Sequence, residues 1–243
     1  MENPLHHFEI HPIFHMSLMG FDISINKAVI AMWIGLSIMF GLFMLVVKSG
    51  VRVIPGKLQV VAELALGFIM DMVEEFIGKK EAPKYFPFIA TIFFFVLACN
   101  LVGMIPGSYT ITSQLVVTGV FASFIFVLTL FIGFAKHGFH FLGILVPPGV
   151  PKIMIPVMIP IEVISMIARP VSLSVRLFAN MTAGHTILYV LFGLAMSTPL
   201  MIGWLPFGFT VAINGLEIAI AFIQAYIFTI LTCVYIGDVI HLH

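Results

Sequence analysis

Arg176 lies in the run Val171-Ser172-Leu173-Ser174-Val175-Arg176-Leu177-Phe178-Ala179-Asn180, inside a segment too apolar for an aqueous protein. An arginine held at the bilayer centre costs about 2.5–3.5 kcal/mol on insertion scales, so a cation kept there usually has an electrostatic task. The nearest acidic residue before it is Glu162, and no lysine or arginine follows it. Glu162, Ser165, Arg169, Ser172, Arg176 and Asn180 recur every three or four positions, which sets them on one stripe of a helix. Asn214, Glu217, Gln224, Tyr235 and Asp238 form a second, broken polar stripe nearer the C-terminal end. His185 is nine residues past Arg176, so an ideal helix puts it on the opposite face, roughly 13 Å along the axis.

If the chain turns near residue 200, an antiparallel hairpin brings Arg176 level with Gln224, His185 with Glu217, and Glu162 with Asp238. Polar groups then approach from one side through His185, Glu217 and Asn214, and from the other through Glu162, Ser165 and Ser172. A permanent cation stands between. Two offset aqueous half-paths separated by an electrostatic gate need this arrangement; one continuous pore would leak.

Plainer readings stand beside each assignment. Arg176 could snorkel or pair structurally, and Glu162, Tyr235 and Asp238 could be interfacial. His185 with Glu217 could be a structural pair, and the serines could bond back to helix carbonyls. Asn100 could cap or brace a helix, and Phe93-Phe94-Phe95 could face lipid or pack. His7, His11 and His15 have the spacing of helical metal ligands, but a surface helix is the favoured reading, as it is for His137 and His140 and for the terminal His241 and His243. No metal or cofactor is expected.

The elements that must carry these residues follow from composition. The 243 residues are 61% hydrophobic and only 9% charged, with mean hydropathy +1.17. Soluble domains carry about 25% charged residues, so an all-α integral membrane protein is expected. Net charge is zero and no long basic run points to nucleic acid. Cys99 and Cys233 both lie in apolar stretches and read as buried thiols. Residues 1–27 lack the basic-then-apolar pattern of a cleavable signal and read as an outer-side N-terminal segment.

Crossings of about 20 residues are expected at 28–47, 87–105 and 115–135. Two longer segments, 156–196 and 207–240, would be tilted and paired as a hairpin, with Pro170 bending the first and Pro199 and Pro206 bracketing the turn. Residues 58–78 mix Glu63, Asp71, Glu74 and Glu75 with Leu64, Leu66, Phe68, Ile69 and Met72, which suits an amphipathic helix along the membrane surface. Residues 136–151 read as a loop. The whole chain is one membrane domain. Lys48, Arg52, Lys57, Lys79, Lys80 and Lys84 fall in one connection and Lys136 and Lys152 in another, while 106–114 and 197–206 hold no basic residue. That bias places the N-terminus outside and the C-terminus inside.

The stretch Arg169-Pro170-Val171-Ser172-Leu173-Ser174-Val175-Arg176-Leu177-Phe178-Ala179-Asn180-Met181-Thr182-Ala183-Gly184-His185 resembles the signature of subunit a of the F-type ATP synthase membrane sector. Leu216-Glu217, the run Gln224-Ala225-Tyr226-Ile227-Phe228 and the run from Asn100 to Pro106 are similar to that family too. The resemblance implies a proton-channel stator beside a ring of c subunits, in a bacterial or mitochondrial inner membrane, with peripheral-stalk b-type subunits and the rest of the synthase as partners. It implies that Arg176 faces a ring carboxylate, with Gln224 and Asn180 beside it. His185, Glu217 and Asn214 would line the outer half-channel. Glu162, Ser165, Ser172 and Arg169 would line the inner one. Small residues Ala179, Ala183 and Gly184 would let the ring pass closely. Many bacterial members carry the acid and the imidazole exchanged, Glu at the position of His185 and His at that of Glu217.

Two other classes compete. A stand-alone secondary transporter would need a substrate site within one chain, and no internal repeat supports it. An intramembrane enzyme would need a motif such as His-Glu-x-x-His or Gly-x-Ser-x-Gly, which the chain lacks, as it lacks a phosphate-binding loop. No intrinsic active site is expected.

Overall fold

The computed structural model describes residues 12–14, 17–18, 21–22, 25–48, 50, 55–104, 114–145, 152–197 and 200–240. Six helices follow two small antiparallel ribbons: α1 (Lys27–Lys48), α2 (Lys57–Ile77), α3 (Ala82–Gly103), α4 (Leu115–His137), α5 (Ile155–Ser197) and α6 (Leu200–Ile240). All but α2 are long and apolar enough to cross a membrane. The expected all-α membrane architecture is therefore present.

The ribbons pair β1 (Pro12–Phe14) with β4 (Ile25–Asn26) and β2 (Ser17–Leu18) with β3 (Phe21–Asp22). They replace the surface helix read for this region, whose histidines 7, 11 and 15 lie outside the described residues. A 3-10 stretch, Gly138–Leu145, likewise occupies part of the expected 136–151 loop.

Helix α3 starts earlier than expected, with Pro83 in its first turn, where a missing N–H leaves nothing unsatisfied. The larger correction concerns α6. It begins at Leu200 rather than near 207, so Pro206 lies inside the helix and does not bracket the turn. The Thr210 hydroxyl donates back to the Pro206 carbonyl at 2.9 Å, one turn earlier on the same helix. Pro160 and Pro170 are likewise contained within α5. At 1.5 Å per residue these helices run about 60–65 Å, twice a hydrocarbon core of about 30 Å, so they must tilt or extend beyond it.

The core lies where α2, α3, α4 and the C-terminal half of α6 meet. Ile69, Val73 and Ile77 of α2 pack with Ile89 and Phe93 of α3, Ile125 of α4, and Phe228 and Ile236 of α6. Phe93 is buried, Phe94 packs edge-on against Phe43, and the Phe95 ring stacks on Phe121 at 5.0 Å. The phenylalanine run therefore packs. Gly237 lets the Phe76 carbonyl of α2 press against α6; a Cβ there would overlap it. Glu63, Asp71 and Glu75 of α2 point outwards. Lys136, at the end of α4, donates to Glu81 at 3.0 Å, joining that helix end to the turn before α3.

Candidate functional site

Helix α5 presents two unlike faces. Pro170, Leu173, Ser174, Leu177, Met181 and His185 are buried, at the spacing of one helical stripe. Arg176 and Ser172 are exposed, while Glu162, Ser165, Arg169 and Asn180 are intermediate. The nine-residue offset thus separates His185 from Arg176 across the helix, as the sequence spacing requires.

Helices α5 and α6 pack antiparallel. Arg176, Ala179 and Asn180 line an open groove of about 490 Å³ with Ile220, Ile223 and Gln224. Gln224 is only 3% exposed, so it forms the groove's inner wall. Among the described residues Arg176 makes no ion pair and no hydrogen bond.

One turn pair lower, the other arginine is engaged. Arg169 Nη1 lies 3.4 Å from Asp238 Oδ2 and Nη2 lies 4.0 Å from Glu162 Oε1. Its guanidinium carbon also sits 5.5 Å from the centre of the Tyr235 ring. The register places Glu162 and Asp238 near one level, and two carboxylates there need a cation; Arg169 supplies it. Ser165 and Ser172 make no side-chain hydrogen bond among the described residues.

At the other end, His185 (9% exposed) and Glu217 (6%) are both buried. The Glu217 carboxylate abuts α5 at Gly184: a Cβ added there would overlap it, lying 3.0 Å from Cδ. Gly184 therefore makes room for Glu217; Ala179 lines the groove, and Ala183 is exposed. Both Glu217 carboxylate oxygens and the Thr182 hydroxyl are buried without a hydrogen-bond partner among the described residues. Asn214, half-buried, lies three positions before Glu217 on α6.

Sequence reasoning did not single out Thr182, although it lies three residues before His185, on the same side of the helix. Nor did it find the hydroxyl contact between Thr118 of α4 and Ser174 at 3.1 Å. Asn100 braces α6, with Nδ2 donating to the Ala221 carbonyl at 3.4 Å. Among the described residues no group of three His, Cys, Asp or Glu side chains could hold a metal ion.

Five long apolar helices, with an arginine exposed in a groove between the last two, define a polytopic membrane protein that holds charge within its spans. The family model for the ATP synthase A chain matches residues 29–237, and the chain belongs to that family. It is 48% identical to ATP synthase subunit a of Magnetococcus marinus, covering 99% of this chain and 94% of that one. It is 47% identical to the subunit a of Pelagibacter ubique, over 99% and 98% of the two chains. The Rhodospirillum rubrum subunit a is 42% identical over the full length of both.

Proposed function

We propose that this chain is the proton-conducting stator of a rotary ATP synthase, with two offset half-channels that meet a c-subunit ring at Arg176. The observation that carries the reading is the contrast between the two arginines of α5. Arg169 has acidic partners on its own chain. Arg176 faces an open groove and has none among the described residues. A guanidinium facing the lipid side needs an anion, and a ring carboxylate on a neighbouring subunit is the matching one.

A guanidinium stays protonated, so it cannot relay protons and instead separates the two paths. It draws an ionised ring carboxylate out of lipid, where a lone carboxylate is costly. The groove is open, so the pair keeps contact with polar surroundings and can break as the ring turns. His185, Glu217 and Asn214 form the outer half-channel. The two buried, unpaired carboxylate oxygens of Glu217 are the kind of polar group that holds water. Glu162, Ser165, Ser172 and Arg169 line the inner half-channel, and Asn180 and Gln224 flank the gate. The N-terminus lies outside and the C-terminus inside, with b-type subunits of the peripheral stalk holding the stator still.

Replacing Arg176 with Ala in membranes that carry the assembled complex tests the reading. ATP-driven pumping is expected to vanish. Normal pumping by that variant would remove Arg176 from the gate.

A further inference from the structure

Two buried polar atoms on neighbouring helices are left unpaired, one of them on a residue that lines the groove. Asn100 of α3 is 0% exposed, and while its Nδ2 donates to the Ala221 carbonyl of α6, its Oδ1 has no hydrogen-bond partner among the described residues. Gln224 follows Ala221 by three positions, on the same side of α6, and its Nε2 is also buried without a partner. Ala221 is itself fully buried and offers only a methyl group at this level. One orphan is an acceptor and the other a donor. An unpaired buried amide is expensive anywhere, and more so in a membrane where little water can reach it.

We infer that Asn100 is a positioning residue for the Arg176 groove: held to α6 through the Ala221 carbonyl, its Oδ1 is linked to Gln224 Nε2 through one water that donates to the first and accepts from the second. That link fixes the Gln224 carboxamide in one orientation. With Nε2 turned inwards, Oε1 is the branch left to face the groove that Gln224 shares with Arg176. A guanidinium only donates, so Arg176 is the matching partner for that oxygen. Asn100 thereby reaches the groove through Gln224 while remaining outside it. Helix α3, which carries no residue of the groove wall, sets the polar surface that Arg176 meets. The functional weight of this contact rests on the gate reading above; the contact itself does not.

Maps of the assembled synthase at a resolution that shows waters decide the contact. In the wild type, Gln224 Nε2 and Asn100 Oδ1 are each expected within about 3.2 Å of one shared water. In Asn100→Ala the Gln224 carboxamide is expected to turn. A wild-type map without that shared water overturns the inference even if the alanine variant fails to assemble, and so does an unmoved Gln224 in an assembled variant. ATP-driven pumping then measures the consequence. Asn100→Ala is expected to slow it about tenfold, and adding it to Gln224→Leu is expected to slow that variant no further. Effects that multiply would make the two residues independent and end the positioning role. Should Arg176→Ala pump normally, the gate reading falls while the maps still judge the contact.

Discussion

Arg169 and Arg176 share one stripe of α5, seven positions and so about 10 Å apart along the axis, but their surroundings differ in kind. Arg169 is held by Glu162 and Asp238 at 4.0 and 3.4 Å and lies over Tyr235. Arg176 meets a groove walled by alanine, isoleucine, asparagine and glutamine. Sequence spacing makes these residues equivalent; the neighbouring helix makes them different. An arginine satisfied within its own chain stabilises the hairpin. One that is not satisfied there is available to another subunit.

The sharpest way to break this contrast is to change both arginines to lysine. Lysine keeps the charge but loses the planar fork that binds a carboxylate through two parallel bonds. Arg176→Lys is expected to lower ATP-driven pumping by about 100-fold, the scale of removing one preorganised electrostatic group. Arg169→Lys should stay within about twofold, because its side chain is 38% exposed and its ion pairs are loose. Pumping assays on membrane vesicles that gave the reverse order would assign the gate to Arg169.

A smaller effect is expected where α6 closes on α5. Gly184→Ala places a Cβ against the Glu217 carboxylate. The carboxylate or the helices must shift, at the cost of overpacking, about 1–3 kcal/mol. Pumping is expected to slow about tenfold, the rate equivalent of about 1.4 kcal/mol, with the passive leak unchanged. Glu217→Gln should slow it to a similar degree through loss of the ionisable group. A Gly184→Ala variant that pumps normally while Glu217→Gln does not would show that the close approach at Gly184 plays no part in proton traffic.

Much of this was legible in the sequence, and for a physical reason. A polar side chain within an apolar span is costly, so Arg176, Glu217, Gln224 and Asn100 stand out by type alone, and helical periodicity sorts them onto faces. The 3.6-residue repeat was enough to oppose His185 to Arg176. Pro206 misled because proline marks turns in water, whereas a long apolar helix can retain one within its length. The partnership of Arg169 with Asp238 needed the tertiary register, since the residues are 69 positions apart. The approach of Glu217 to Gly184 was not legible either, since glycine signals close approach without saying to what.

The smallest effect is expected on the face of α5 turned away from the groove. Ser174 precedes Arg176 by two positions, is 5% exposed, and shares a hydroxyl contact with Thr118 of α4. Thr118 Oγ1 also lies 3.2 Å from the Gln114 carbonyl and 3.1 Å from the Leu115 carbonyl of its own chain segment, so it has local partners as well. Thr118→Val keeps the shape and removes the hydroxyl. Interhelical hydrogen bonds in membranes average only about 0.6 kcal/mol, because polar groups in the unfolded chain also find partners. The variant should therefore lower the thermal midpoint of the solubilised complex slightly and leave pumping at the wild-type rate. A large loss of pumping with intact assembly would mean that α4 sets the position of Arg176 through Ser174. The division between a packing face and a working face of α5 would then fail, because the proposed gate would depend on a contact two residues away on the packing face.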